Sequence, residues 1–330
     1  MAQATQPFTI AALSVLKGRS TAIGLSDLIT VEGSSYDLNV DSIDGSVLLD
    51  FRDSQSVAPA LGSDCCRFAT AAFQSIAPVP NEIVNKDTLA WSIVKLYYAA
   101  FYAGNSILRM LGESSSFLDR NHTNRISAMM TAMGSNPNFR MERGLYHCTL
   151  NPTASAVRYM KVGSSSGGSH EAFWRIFQNR IHSLSEGILL GSLIPAEAQQ
   201  VFAKFRSLEM ILNTSPQGVG GSLSSIRNEL QYKHSFGVWF PVQLKKRERE
   251  TLGRLAAQWQ GDPMDIEPYR PGRDMFLNFV SACAFIVGLC RVIVARIAER
   301  SSEGDKCFIC FGPLSFLRDA GLASASGVVR

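Results

Sequence analysis

Leu89-Ala-Trp-Ser-Ile-Val-Lys-Leu-Tyr-Tyr-Ala-Ala-Phe-Tyr-Ala-Gly-Asn-Ser-Ile-Leu-Arg-Met-Leu111 decides how the fold is read. Apolar and small residues recur at spacings of three and four (Leu89, Ile93, Leu96, Tyr97, Ala100, Phe101, Gly104, Ile107, Leu108, Leu111), the period of one face of an α-helix. Asp87 is its expected cap and Gly112 its stop. Ala99, Ala100, Ala103 and Gly104 keep the helix slim, which permits close approach of a second one. On so periodic a helix, Tyr97, Tyr98, Phe101 and Tyr102 read as core aromatics rather than as a stacking platform.

Working outward, similar patterns predict helices near 119–133, 170–190, 195–213, 223–234, 243–260 and 273–300, so the expected fold is mainly α. Phe276 to Cys290 carries no charge but falls short of the roughly 20 residues that a membrane span needs. Arg291 and Arg296 follow on the same expected helix, which reads as a buried core element. Residues 1–80 differ. Asp27 to Asp53 alternates apolar and polar residues around turn signals, Glu32-Gly33-Ser34-Ser35 and Asp44-Gly45, and predicts two or three short strands. Pro78 and Pro80 mark a boundary between this small β-containing region and a helical domain over 81–330. That domain is expected to hold an insertion around 134–215. Its first part, 134–169, reads as a long loop with a short strand near Ala156 to Val162.

The composition, 46% hydrophobic and 18% charged over 330 residues, is that of a soluble globular protein. Seven scattered cysteines make no disulfide framework, and nothing at the N-terminus reads as a signal peptide, so a cytoplasmic protein without a membrane segment is expected. Cys307-Phe-Ile-Cys310 has zinc-ligand spacing but lacks a second pair at zinc-finger distance, and Cys65-Cys66 is adjacent rather than spaced; no metal and no cofactor is expected. Lys245-Lys246-Arg247-Glu248-Arg249-Glu250 reads as a solvated helical face. The net charge of +4 is uneven: from Asp119 to His182 eight basic residues face three acids. A local basic excess is what a polyanion-binding surface requires, and Arg120, Arg125, Arg140 and Arg143 are its candidate RNA contacts.

One segment joins residue type, spacing and context. Ser224-Ser225-Ile226-Arg227-Asn228-Glu229-Leu230-Gln231-Tyr232-Lys233-His234 follows a Gly/Ser-rich turn that begins at Gly218. In a continuous helix seven residues span close to two turns, which would put Arg227 and His234 on one face about 10 Å apart, with Gln231 between them. Spacing alone chooses nothing, because Arg140 to His147 and Arg175 to His182 match it too. Context favours Arg227, which has an amide beside it and is expected in a helix's first turn, against the dipole preference.

The Arg-Asn-x(5)-His segment, downstream of Lys95-Leu-Tyr-Tyr-Ala-Ala-Phe-Tyr-Ala-Gly-Asn-Ser-Ile-Leu-Arg-Met-Leu-Gly112, resembles the HEPN superfamily. The resemblance covers about half of the chain and leaves 1–80 and 134–215 unexplained. It implies a HEPN-like helical bundle with extra helices, whose active members are metal-independent endoribonucleases with an Arg-x(4–6)-His motif. It implies Arg227 and His234 as catalytic pair with Asn228 in support, a homodimer with a composite site, a regulatory protein partner, and a role as bacterial toxin or antiviral effector. The chemistry stands beside it. Attack of a ribose 2′-hydroxyl on the adjacent phosphate needs an acid–base group near neutrality, which His234 supplies, and a cation for the phosphorane charge, which Arg227 supplies. Asn228 would hold the histidine or a phosphate oxygen, and Gln231 is a further RNA contact. The rival reading is a non-catalytic HEPN-like module that binds RNA, nucleotide or protein.

Overall fold

The protein, described from a computed structural model covering residues 2–134, 138–151, 153, 155–163, 168–191, 194–214 and 221–323, is mainly α-helical. Its helices are α1 (Ala2–Val15), α2 (Ser54–Ile76), α3 (Val79–Glu82), α4 (Leu89–Met110), α5 (Arg120–Ala132), α6 (Gly168–Gly191), α7 (Pro195–Leu212), α8 (Ser222–Tyr232), α9 (Lys246–Ala257), α10 (Met275–Arg300) and α11 (Pro313–Asp319). The strands are β1 (Tyr36–Val40), β2 (Val47–Phe51), β3 (Glu113–Leu118), β4 (Gly144–Leu150) and β5 (Ala156–Lys161).

The uncharged run of α10 is apolar on every side and is buried on every side, as a helix at the centre of a core must be. By length and composition it is able to cross a membrane; here its apolar window is 94% buried inside the protein. Asp274 starts it, accepting the backbone N–H groups of Phe276 and Leu277. Arg291, 1% exposed, is accommodated because its Nε donates to the Trp259 carbonyl at 3.1 Å and its Nη2 to that of Gly261 at 2.6 Å. Burial lowers its pKa to about 10, so the guanidinium stays charged at neutrality. Asp274→Ala is expected to lower stability by about 1 kcal/mol, the usual value of an N-cap. An unchanged urea midpoint would show that the cap contributes nothing.

Helix α4 lies against both α10 and α2, with Ala99, Ala100, Ala103 and Gly104 buried where the helices approach. A Cβ on Gly104 would stand 3.0 Å from Phe173 Cζ, so the absent side chain is what admits α6. The five strands form one antiparallel sheet in the order β1-β2-β5-β4-β3. Of the two or three strands expected before residue 54, two form, β1 and β2, and β2 pairs with β5, so residues on either side of position 80 share one sheet. In the stretch 134–169 the strand expected near Ala156 to Val162 is β5, and what was read as loop before it holds β4, which pairs with β5 as a hairpin. Its inward positions, Tyr146, Cys148, Val157 and Tyr159, are buried, and the polar residues between them hid the alternation.

Helix α8 corrects a second expectation. It ends at Tyr232 instead of continuing to His234, and it starts at Ser222, which puts Arg227 in the second turn rather than the first. The dipole argument for Arg227 therefore falls. His234 adopts φ 53°, ψ 32°, a left-handed conformation that a non-glycine residue enters at a cost of about 1 kcal/mol or more.

Candidate functional site

Arg227 points from α8 into an aromatic cluster made by α4 and α6. Its guanidinium carbon lies 5.4 Å from the Tyr97 ring centre and 5.9 Å from that of Tyr98, and the residue is 8% exposed. Among the described residues no carboxylate pairs with it. Its Nη1 makes a long 3.5 Å contact to Gln231 Oε1, and its Nε is buried without a hydrogen-bond partner. A cation buried against ring faces with donors to spare is an anion-accepting group.

The histidine that stands beside Arg227 is His170, in the first turn of α6. Its Nδ1 is 2.9 Å from the Tyr97 hydroxyl, which accepts the Trp174 indole N–H at 3.2 Å. Tyr97 and His170 Nδ1 are thus joined by a hydrogen bond whose donor follows from the imidazole tautomer. Burial lowers the His170 pKa to about 4, with the charge of Arg227 adding to the effect. The Phe101 ring is 4.4 Å from the imidazole and walls it in. Burial pushes the Tyr97 phenol up, so it remains a hydrogen-bonding hydroxyl.

His234 is elsewhere. It is exposed and stacks on Trp239, ring centres 5.5 Å apart. Trp239 donates its indole N–H to the Leu230 carbonyl at 2.7 Å and meets Trp91 of α4 edge-on. This indole satisfies an end carbonyl of α8 and fixes where the helix stops. Among the described residues no hydrogen bond or ring contact joins Arg227 to His234. Asn228 is exposed. Gly218 to Gly220 of the expected Gly/Ser turn lie outside the described residues.

The expected RNA contacts divide. Arg120 and Arg143 come together in a shallow 250 Å³ pocket with Phe117, Asp119 and Asn121. Arg125, further along α5, interacts with the Tyr36 hydroxyl, and Arg140 donates to the Phe139 carbonyl. Of the other Arg–His spacings, His182 is taken up by Glu209 at 3.2 Å and Glu186 at 3.3 Å. Cys66 of α2 stands beside Cys307 and Cys310 and donates to the Phe308 carbonyl, a juxtaposition that sequence spacing did not reveal. Among the described residues no group of three or more Cys, His, Asp or Glu side chains is placed to hold a metal.

His170 was missed by spacing because it lies 57 positions before Arg227 and in no motif with it. The signal that could have found it is aromatic. Tyr97, Tyr98 and Phe101 on one helix and Phe173, Trp174 and Phe177 on another are two aromatic faces that pack together, and His170 sits one turn before the second. No protein-family model matches the chain, and no curated protein or solved structure is similar to it at a significant level. The HEPN resemblance therefore rests on the residues quoted for it.

Proposed function

We propose that this protein is a metal-independent endoribonuclease of HEPN type that cleaves RNA by attack of a ribose 2′-hydroxyl on the neighbouring phosphate, and that it acts as a bacterial toxin or antiviral effector. The observation that carries the reading is Arg227: a nearly buried guanidinium with no acidic partner among the described residues, an unpartnered Nε, and a neutral histidine close by. Such a cation holds a phosphate diester and stabilises its transition-state charge. His234, exposed at a chain reversal, supplies the acid–base group from the second copy of a homodimer, with Asn228 beside the composite cleft. Gln231 assists Arg227.

The separation of Arg227 from His234 within one chain favours a second reading, a non-catalytic HEPN-like module that holds RNA at Arg227. Two measurements separate them: cleavage of single-stranded RNA in excess EDTA, and affinity for 2′-O-methyl RNA, which lacks the attacking hydroxyl. The endoribonuclease reading expects wild-type cleavage, a loss of about 10²-fold in His234→Ala, and unchanged affinity in that variant. Binding without cleavage in both proteins establishes the module instead.

A further inference from the structure

The two Arg–His spacings left over by the first site meet in space, in a new combination. Strand register puts Glu113 and His147 on one face of the sheet: His147 is opposite Ser115 on β3 and opposite Met160 on β5, which makes Glu113 its diagonal neighbour. Helix α6 presents Arg175, Ile176, Asn179, Arg180 and Ser183 to the same place, a set spaced for one helical face. Between them lies an open cleft of about 380 Å³.

The polar groups in this cleft are organised. Glu113 is shared, with Oε2 2.9 Å from His147 Nε2 and Oε1 2.8 Å from Arg180 Nε. The glutamate therefore fixes the imidazole with Nε2 as its donating nitrogen, and it pairs by charge with Arg180, whose Nε is buried without a hydrogen-bond partner. Its single charge is spent on two partners. Arg175 lines the same cleft, half-buried, and among the described residues it has no ion pair or hydrogen bond. Lys161 adds a third cation at the rim, tethered to Glu142 outside the cleft. Three cations and a histidine thus face one lining carboxylate. Met160, Val162 and Ile176 give the cleft an apolar wall.

We propose that this cleft binds a nucleoside monophosphate. Arg175 and Arg180 present forked donors to the phosphate, Lys161 adds charge, and the base lies along Met160 and Ile176. The volume suits one small ligand, near the lower end of the range for such pockets. Glu113 holds Arg180 and His147 in place and rejects a second anion. This site does not depend on the RNA-cleavage reading, because it shares no residue with the Arg227 cluster.

The test is calorimetric titration of the full chain with adenosine monophosphate, inorganic phosphate and adenosine, at low and at 0.5 M salt. Saturable binding of the monophosphate is expected, with adenosine failing to bind, inorganic phosphate binding at least about fivefold more weakly, and salt reducing affinity. Arg175→Gln removes a group with no partner among the described residues, so the fold persists, and affinity should fall about tenfold. Arg180→Gln should weaken binding as well, and its melting temperature reports whether loss of the Glu113 pair unfolds the protein instead. Binding that is absent for the monophosphate, equal for adenosine or inorganic phosphate, or unchanged in Arg175→Gln overturns the proposal.

Discussion

Arg227→Ala is expected to reduce RNA cleavage and RNA affinity by about 10² to 10³-fold while the protein stays folded. The separation of the two effects follows from the way Arg227 is buried. Removing one partner of a buried ion pair is costly because it strands the other charge. Among the described residues Arg227 has no acidic partner to strand, and its Nε is itself unsatisfied, so truncation removes a polar burden along with ring contacts. Arg227→Lys keeps the charge but loses the fork, and should recover only part of the affinity. A structural role would leave RNA affinity unmoved in both variants. A second readout is local: His170 is held low by burial first and by Arg227 second, so its imidazole titration, followed by NMR, should move upward in Arg227→Ala. RNA binding and cleavage at wild-type level in Arg227→Ala would end the site assignment.

Stability should fall steeply as the protein is acidified from pH 6.5 towards pH 4. The ordinary histidine value is 6.5, and in the folded protein His170 stands at about 4, with burial as the larger cause and Arg227 as the second. A lowered histidine pKa means that the unfolded chain binds a proton which the folded one refuses. Stability is therefore complete above pH 6.5 and is lost as the pH drops towards 4. Because the imidazole is only partly shielded, solvent screening reduces the contribution to about 1–2 kcal/mol. His170→Phe, which keeps a ring against Phe101 and cannot be protonated, should flatten the profile between those limits. Denaturation midpoints across this pH range check it, and parallel curves for wild type and variant would show that His170 is not the sensor.

The helices were legible where one face alone is buried or where no face is exposed. The stretch Leu89–Met110 announces itself by period, and α10 by its lack of charge. The end of α8 was not legible. Tyr232, Lys233, His234 and Ser235 include neither glycine nor proline, and the stop comes from Trp239, whose indole takes the Leu230 carbonyl. That is a tertiary contact overriding a local pattern, and it removes the premise that placed Arg227 and His234 on one face. The β4–β5 hairpin was obscured for a related reason: His147, Thr149 and Arg158 make the outward positions polar in a stretch already rich in turn residues. Arg227 itself was read from its neighbours, whereas His170 came to it only through the packing of two aromatic helices.

The pairing of β2 with β5, together with the packing of α1 against α10, joins parts of the chain more than a hundred residues apart. During synthesis the first helix leaves the ribosome long before its neighbour exists. The hairpin of β1 and β2 likewise waits, with one edge unpaired, until residues 156–161 arrive. The core therefore closes only once α10 has emerged. A chain cut short before Met275 lacks the helix around which the others are arranged, and its exposed apolar faces mark it for removal before either cleft is assembled.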